Sequence, residues 1–296
     1  MSVPVVPDAR YGEVYDRGYG HYEGARRGRF HAVWALSRWS IARALGLKKG
    51  WGSKIIPVLL YVGALLPVIV AIGVTALVPQ ADFLDYPGYF ATIFLLEGIF
   101  VATIAPEMMS PDRREGVLPL YFSRPISRPD YVVAKLLAAA ILTLSISLAP
   151  ALILWLGLQL LADAPLATMR DNGGDLGRIV VAGTTIALYL GAIGLLISSF
   201  TKRKGVAVGV IVLGFLISEA LSGALAFALG DRAPWDEWVV FLSPTRTAAG
   251  LVDALWPSPE AAGFGVGLPL WSIVAVMAGV VVLCCAVMFG RYAGRD

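Results

Sequence analysis

Six long apolar runs with almost no charged residue constrain the fold of this 296-residue chain more than any other feature. A helix needs about 20 apolar residues to cross the hydrocarbon core of a bilayer. The runs cover residues 55–77, 86–105, 136–161, 179–200, 206–229 and 268–289. A mean hydropathy of +0.73 and a charged fraction of only 15% are typical of the same class. The sequence therefore predicts an all-α integral membrane protein with six transmembrane helices.

The lysines and arginines are distributed unevenly between the two sides of these spans. Twenty of the 24 fall before the first span, between spans two and three, in the turn at 202–204, or after the last span. Basic residues near span ends stay on the cytoplasmic side, so both termini are expected to be cytoplasmic. The other four, Arg170, Arg178, Arg232 and Arg246, lie among acidic residues on the opposite side.

The residues ahead of the first span divide into two segments. Residues 1–29 are rich in Tyr, Gly and Arg and contain little aliphatic surface, so we expect a disordered cytoplasmic tail and no nucleic-acid partner. Residues 30–54 place apolar side chains at helical spacing, with Trp34 and Trp39 among basic residues. This pattern predicts an interfacial amphipathic helix that contacts membrane lipids, although an ordinary basic flank of the first span fits it equally well.

The cytoplasmic loop at residues 106–135 is the most informative segment because it combines prolines, arginines and an apolar knob. Ser110 and Asp112 are predicted to cap a short helix at residues 113–120. An apolar knob on the water side would either pack on its own membrane domain or enter a groove of a partner. The knob consists of Val117, Leu118, Leu120, Tyr121 and Phe122.

The order of residues in this loop is similar to that of a known family. Glu115, Gly116, Leu118, Leu120, Arg124, Pro125, Ser127, Arg128, Tyr131 and Lys135 together resemble the cytoplasmic coupling loop of permease subunits of ATP-binding-cassette (ABC) exporters of the type-two permease family. In the external segment at 230–267, Leu242, Ser243 and Pro244 resemble that family's Leu-Ser-Pro turn. The resemblance extends over nearly all of the chain after residue 30, and the first 29 residues depart from it.

The resemblance implies a permease that docks cytoplasmic ATPase subunits through its coupling loop. The docking residues would be Arg113, Arg114, Glu115, Gly116, Val117, Leu118, Leu120, Tyr121, Phe122 and Arg124. It also implies a second permease subunit, identical or different, a plasma-membrane location, and export as the direction of transport. The substrate cannot be selected from these residues.

The chain lacks the residues for ATP hydrolysis or metal chemistry. The phosphate-binding pattern G-x-x-x-x-G-K-[ST] is absent, so ATP would be used by a separate subunit. The only histidines precede the first span, the only cysteines are adjacent, and no pair of aspartates lies inside the spans. We therefore expect this chain to be no enzyme and to hold no cofactor and no metal.

Two carboxylates, Glu97 and Glu219, lie inside the apolar runs. An ion in a membrane is costly, so such residues are candidates for lining a transport pathway. Alternatively, each is a neutral or hydrogen-bonded acid that joins helices. Two other functions also stay open. One is an ion-coupled secondary transporter that uses Glu97 or Glu219, and the other is a non-transporting membrane anchor for a cytoplasmic ATPase. Gly191, Gly194, Gly205 and Gly209 are expected to permit close helix packing.

Overall fold

Five stretches of the chain, residues 28–78, 83–122, 126–229, 235–257 and 268–293, are described by the computed structural model. Within them the chain forms helices joined by turns. The long helices are α2 (Gly52–Leu77), α3 (Tyr86–Arg114), α5 (Arg128–Leu160), α7 (Gly173–Phe200), α8 (Lys204–Leu229) and α11 (Leu270–Ala293). The shorter ones are α1 (Arg29–Ala44), α4 (Leu118–Phe122), α6 (Pro165–Asp171), α9 (Trp235–Trp238), a 3₁₀ turn at Val239–Leu242, and α10 (Pro244–Leu255).

The six long helices are each long and apolar enough to cross a membrane, which confirms the predicted all-α membrane fold with six spans. A helix is present at α1, where residues 30–54 predicted one. Its position at the membrane interface and the cytoplasmic location of the termini stay predictions. The tail at 1–29 lies almost entirely outside the described residues, as do parts of the external segment at 230–267.

The region between the second and third spans differs from the prediction. α3 continues to Arg114 and α5 begins at Arg128, so much of the predicted loop at 106–135 is helical. The bounds and the caps of the short helix predicted at 113–120 are wrong, because Ser110 and Asp112 lie buried inside α3, which includes residues 113 and 114. The short helix α4 covers Leu118–Phe122 instead. The chain turns instead at Gly116, whose φ of 66° is left-handed, and the Val117 N–H donates to the Asp112 carbonyl at 3.2 Å. This is the pattern with which glycine commonly ends a helix.

α5 begins where the sequence has a strong local start signal. The Ser127 side chain accepts from the Asp130 N–H, and the Asp130 carboxylate accepts from the Ser127 N–H at 3.0 Å. Pro129 occupies the first turn, where its missing N–H costs nothing. Pro129 therefore helps to start the helix.

The bundle has a buried centre and an exposed periphery. α3 and α7 are the most buried of the six long helices, and α8 is the least. The apolar residues on the outer faces of α2, α8 and α11 match a lipid surface, since hydrocarbon is the solvent there.

Trp256 follows α10 at the end of the bundle that the basic residues predict to be external. Its ring lies 6.3 Å from that of Tyr86 and 6.2 Å from that of Phe90, and its indole N–H donates to Asp175 at 3.1 Å. These contacts hold the end of α10 against α3 and α7.

Glycines allow the central helices to approach closely at some of the expected positions. A Cβ on Gly194 of α7 would lie 2.3 Å from a methyl carbon of Val101 on α3, and one on Gly191 would meet Thr143 of α5 at 3.4 Å. Added Cβ atoms on Gly205 and Gly209 would meet nothing within 4 Å. Close packing at glycine is therefore found between α3, α5 and α7 and not at the start of α8.

We expect Gly194→Ala to destabilise the bundle by about 1–3 kcal/mol, because the stiff Val101 side chain and Ala105 leave no room for a methyl group. Gly209→Ala is the matched control and should be neutral or slightly stabilising, since alanine favours helix more than glycine does. Thermal unfolding of the two purified variants in the same detergent measures the difference. Equal unfolding midpoints would contradict this account of the α3–α7 contact.

Candidate functional site

The short helix α4 packs against the ends of the long helices beside it. Tyr121 and Phe122 lie 6.1 Å and 6.2 Å from the ring of Tyr131, which is buried in α5. Leu118 packs on the same cluster of buried residues, whereas Leu120 is 66% exposed. Burial, followed by the negative charge of Asp112, raises the pKa of the Tyr121 phenol, so the hydroxyl stays neutral. α4 thus has one face fixed to the bundle and an exposed leucine on its surface.

Below α4, the carboxylate of Asp112 joins three helices. It is fully buried at the end of α3 and accepts from the Tyr131 hydroxyl at 3.0 Å. Arg43 of α1 lies 2.6 Å from one of its oxygens, and Lys135 of α5 lies 2.7 Å from the other. Because every partner comes from another helix, this carboxylate ties α1, α3 and α5 together.

Lys135 has a complete set of acceptors despite being fully buried. Besides Asp112, its ammonium group donates to the Ser40 hydroxyl at 3.1 Å and to the Met108 carbonyl at 2.8 Å. An ammonium group has three N–H donors, so all of them are used. We call Asp112, Arg43, Lys135, Tyr131 and Ser40 the Asp112 network.

Further charged contacts join the same end of the bundle. Glu107 of α3 forms ion pairs with Lys49, in the α1–α2 turn, and with Lys204, at the start of α8, the latter at 2.7 Å. Burial, followed by the positive charge of Lys204, lowers the pKa of Lys49.

Two arginines stabilise the C-terminal end of α7. Arg113 and Arg291 both donate to the Ser199 carbonyl in its last turn, where basic groups are favourable.

α1 is also held along its length. Ser37 donates to the Ala134 carbonyl of α5 at 3.0 Å, and Arg29 contacts Asp130 at 2.7 Å. The hydrogen bond to Asp130 raises the pKa of Arg29. α1 therefore packs against α5 through a face of small residues, and its Trp34 and Trp39 side chains remain exposed.

At the opposite end of the bundle, Glu219 of α8 is bound by residues that begin α10. Its carboxylate receives hydrogen bonds from the Arg246 guanidinium at 2.8 Å, the Ser243 hydroxyl at 2.8 Å and the Thr245 hydroxyl at 2.5 Å. Ser243 also accepts from the Arg246 N–H as the N-cap of α10. The Leu-Ser-Pro turn thus both starts α10 and fixes α10 to α8.

A cavity of about 390 Å³ adjoins this ion pair. Its walls are mainly apolar side chains of α3 and α8, among them Phe94, Ile99, Phe215 and Leu216. Glu219, Thr245 and Arg246 supply its polar groups. A largely apolar cavity with a few fixed polar groups is the usual form of a site for a small ligand.

Residues 34–296 match the family model described as "ABC-2 family transporter protein". The chain belongs to this family. No curated protein matches the chain significantly. The family assignment confirms the resemblance that the coupling loop indicated.

Membership of the ABC-2 transporter family makes this chain a multi-pass membrane protein, consistent with an ABC permease. The family generally works with an ATP-binding-cassette partner. The family match begins at residue 34 and so does not include the Tyr- and Gly-rich segment at 1–29.

The structure distributes the predicted docking residues of this ABC-2 transporter over several environments. Arg114, Glu115, Gly116 and Leu120 are exposed, Val117, Leu118, Tyr121 and Phe122 are half-buried, and Arg124 lies outside the described residues. The Arg113 guanidinium is directed to the end of α7. Contact of these residues with an ATPase stays a prediction.

The two glutamates predicted for the pathway occupy different places. Glu219 lies on the wall of the cavity and is paired with Arg246. Glu97 is fully buried and does not belong to the residues that line this cavity. Whether either residue contacts a transported molecule stays a prediction.

No group of three His, Cys, Asp or Glu that suits a metal ion is found in the described part of the chain.

The Asp112 network was missed from sequence, although one signal for it exists. Asp112 and Lys135 lie just beyond the ends of the apolar runs at 86–105 and 136–161. If the helices continue past these ends, a buried charge there requires a partner. Their spacing along the chain does not reveal which residues pair, because Arg43 and Asp112 are 69 positions apart.

We expect Asp112→Asn to destabilise the protein by about 3–5 kcal/mol, because it leaves the buried ammonium of Lys135 without its counter-charge. Glu115→Gln, which removes a half-exposed carboxylate nearby, should cost about 0–1 kcal/mol. Adding Lys135→Met to Asp112→Asn should recover much of the loss, since the uncompensated charge is then gone. Thermal unfolding in detergent is the measurement, and an Asp112→Asn shift no larger than that of Glu115→Gln would refute the assignment.

Proposed function

We propose that this chain is the permease subunit of an ABC exporter. It forms part of the membrane pathway, and separate cytoplasmic ATPase subunits dock on α4 and on the turn at Glu115–Val117. The observation that supports this most directly is the position of α4, which presents an exposed leucine while its aromatic residues pack on Tyr131. An exposed apolar side chain next to charged residues suits a groove in a partner.

The contacts below α4 provide a route for mechanical coupling. A displacement of α4 acts on Tyr131 through Tyr121 and Phe122, and the Tyr131 hydroxyl is bonded to Asp112. Asp112 in turn holds α1 and α5 through Arg43 and Lys135. Closure of the ATPase subunits on ATP would therefore move the inner ends of α3 and α5 as one unit. The coupling requires that the docking contacts differ in free energy between the open and closed states of the ATPases.

In this proposal the chain itself is no enzyme and binds no cofactor. ATP is bound and hydrolysed by the partner subunits, in keeping with the absence of a phosphate-binding loop from the sequence. Six spans form half of such a pathway, so a second permease subunit completes it, and the plasma membrane is the expected location.

We assign the cavity beside Glu219 to the pathway, because it is the place where apolar walls meet a fixed charged pair. α3, which the docking contacts would move, forms one wall. α8 forms the other wall and is the least buried long helix. The cavity's apolar character suits an amphiphilic cargo.

We expect Leu120→Asp to abolish co-purification of the ATPase subunits while the chain still inserts into the membrane. The change places a charge on the docking surface but disturbs little of the fold, because Leu120 is 66% exposed. Leu118→Asp should also abolish docking, but it disturbs packing in the bundle as well. Leu166→Asp is the control, since Leu166 is 84% exposed on α6 at the opposite end.

Affinity purification from the native membrane, followed by an ATP hydrolysis assay, gives the result. Full-strength association of Leu120→Asp would refute the docking assignment. Association without transport in the unmodified complex would instead favour the non-transporting anchor.

We expect Glu219→Gln to lower cargo-stimulated ATP hydrolysis by the purified complex several-fold, because it removes the charge that holds Arg246 at the cavity. Asp253→Asn is the control, since Asp253 is a carboxylate of α10, the helix that pairs with Glu219, but does not line the cavity. Stimulation by an amphiphilic dye such as rhodamine 6G can be compared across both variants in proteoliposomes. Identical stimulation of Glu219→Gln and the unmodified complex would remove Glu219 from the pathway.

A further inference from the structure

Glu97 lies at the centre of the bundle in surroundings that the transport proposal does not use. Its side chain is fully buried in α3, and neither carboxyl oxygen has a hydrogen-bond partner among the described residues. Ser147 of α5 lies near enough to interact with it, but its buried hydroxyl also has no hydrogen-bond partner there. Two buried polar groups without a hydrogen-bond partner among the described residues thus lie near each other, one on α3 and one on α5.

No positive charge compensates Glu97 among the described residues. The basic residues of α3 nearest to Glu97 are Arg113 and Arg114 at its end, and Arg113 is 16 residues away, about 24 Å at the rise of a helix. Tyr89 of α3 interacts electrostatically with Glu97. Among the other helices packed on α3, α8 contributes Lys204 and Glu219, α10 contributes Arg246 and Asp253, and Glu219 and Arg246 pair with each other. The charged residues of α1, α2 and α7 are Arg29, Arg38, Arg43, Lys54, Asp175 and Arg178.

Carbonyl acceptors of α5 lie at the level of Ser147, the residue that interacts with Glu97. The Ser147 carbonyl accepts from the Tyr89 hydroxyl at 3.4 Å. One residue earlier, the Ile146 carbonyl lacks its helical donor because Pro150 has no N–H. A carboxylate can only accept hydrogen bonds, whereas a carboxylic acid also donates one. An ionised carboxylate buried without a counter-charge would cost many kcal/mol.

We propose that Glu97 is a proton-binding site inside the membrane bundle. Its carboxyl group carries a proton at neutral pH, and the resulting O–H donates to α5 at the level of Ser147. The bound ligand is thus a single proton, held between α3 and α5 and away from the cavity at Glu219. The inference concerns this chain alone, so it does not depend on the docking of an ATPase.

Infrared spectroscopy of the full-length protein in lipid nanodiscs tests the proposal. Glutamate labelled with ¹³C at the side-chain carboxyl distinguishes these groups from aspartate and from lipid esters. At neutral pH we expect one carbonyl stretching band of a protonated glutamic acid. The band should be lost completely in Glu97→Gln and kept in Glu219→Gln, because Glu219 is ionised beside Arg246.

Ser147→Ala supplies a second readout that does not depend on how well Glu97→Gln folds. It leaves the carboxyl in place and removes a neighbouring polar group, so the band should persist at a shifted frequency. A band that is absent from the unmodified protein, or that survives in Glu97→Gln, would overturn the proposal. So would a glutamate band of the ionised form that moves when sodium replaces potassium, since the site would then hold a metal cation and not a proton.

Discussion

The buried carboxylate of Asp112 is the interaction on which the arrangement of the bundle next to α4 depends. It lies where α1, α3 and α5 meet, and each of its partners comes from another helix. Burying two cations and an anion is costly, so such a group contributes little net stability compared with apolar packing. Its effect is on specificity, because any shift of one helix past another leaves a charge without its partner. The helices below α4 are therefore held in one register, and α4 packs on a unit that resists internal sliding.

The sequence was sufficient for the number and type of spans because lipid exposure imposes a long apolar run on each of them. It was not sufficient for the region at 106–135, where charges and prolines suggested a loop. Asp112 and Lys135 lie in continued helices because they neutralise each other, and pairing of residues 23 positions apart is a tertiary fact that local pattern does not contain. The effect of Pro129 likewise depends on context, since a proline favours the first turn of a helix and disrupts its interior. The apolar residues of the knob could be read from the sequence, but their division into a packed face and an exposed Leu120 required the structure.

Glu97 and Glu219 show that residue type alone does not reveal the surroundings of a carboxylate in a membrane helix. In the sequence both are single carboxylates in apolar runs, and both were assigned the same alternatives. In the structure Glu219 receives three hydrogen bonds from residues 24 to 27 positions later, whereas Glu97 receives none from any described residue. The difference arises from the external segment, because α10 brings Ser243, Thr245 and Arg246 to α8. The Leu-Ser-Pro turn, which seemed a minor resemblance, is the element that creates the charged part of the cavity.

The helices at the α4 end of the bundle are joined to each other unequally. α3 and α5 are fixed to each other by fully buried charges at Asp112 and Lys135. α8 is connected to that end through Lys204 and Glu107, and Lys204 is half-exposed, so this ion pair is weaker. If an ATPase docks on α4 as proposed, a force on α4 acts on α3 and α5 as one pair, because the buried charges join them. The cavity lies between α3 and α8. The proposed coupling then requires no flexible helix, only one rigid pair that moves against its neighbour.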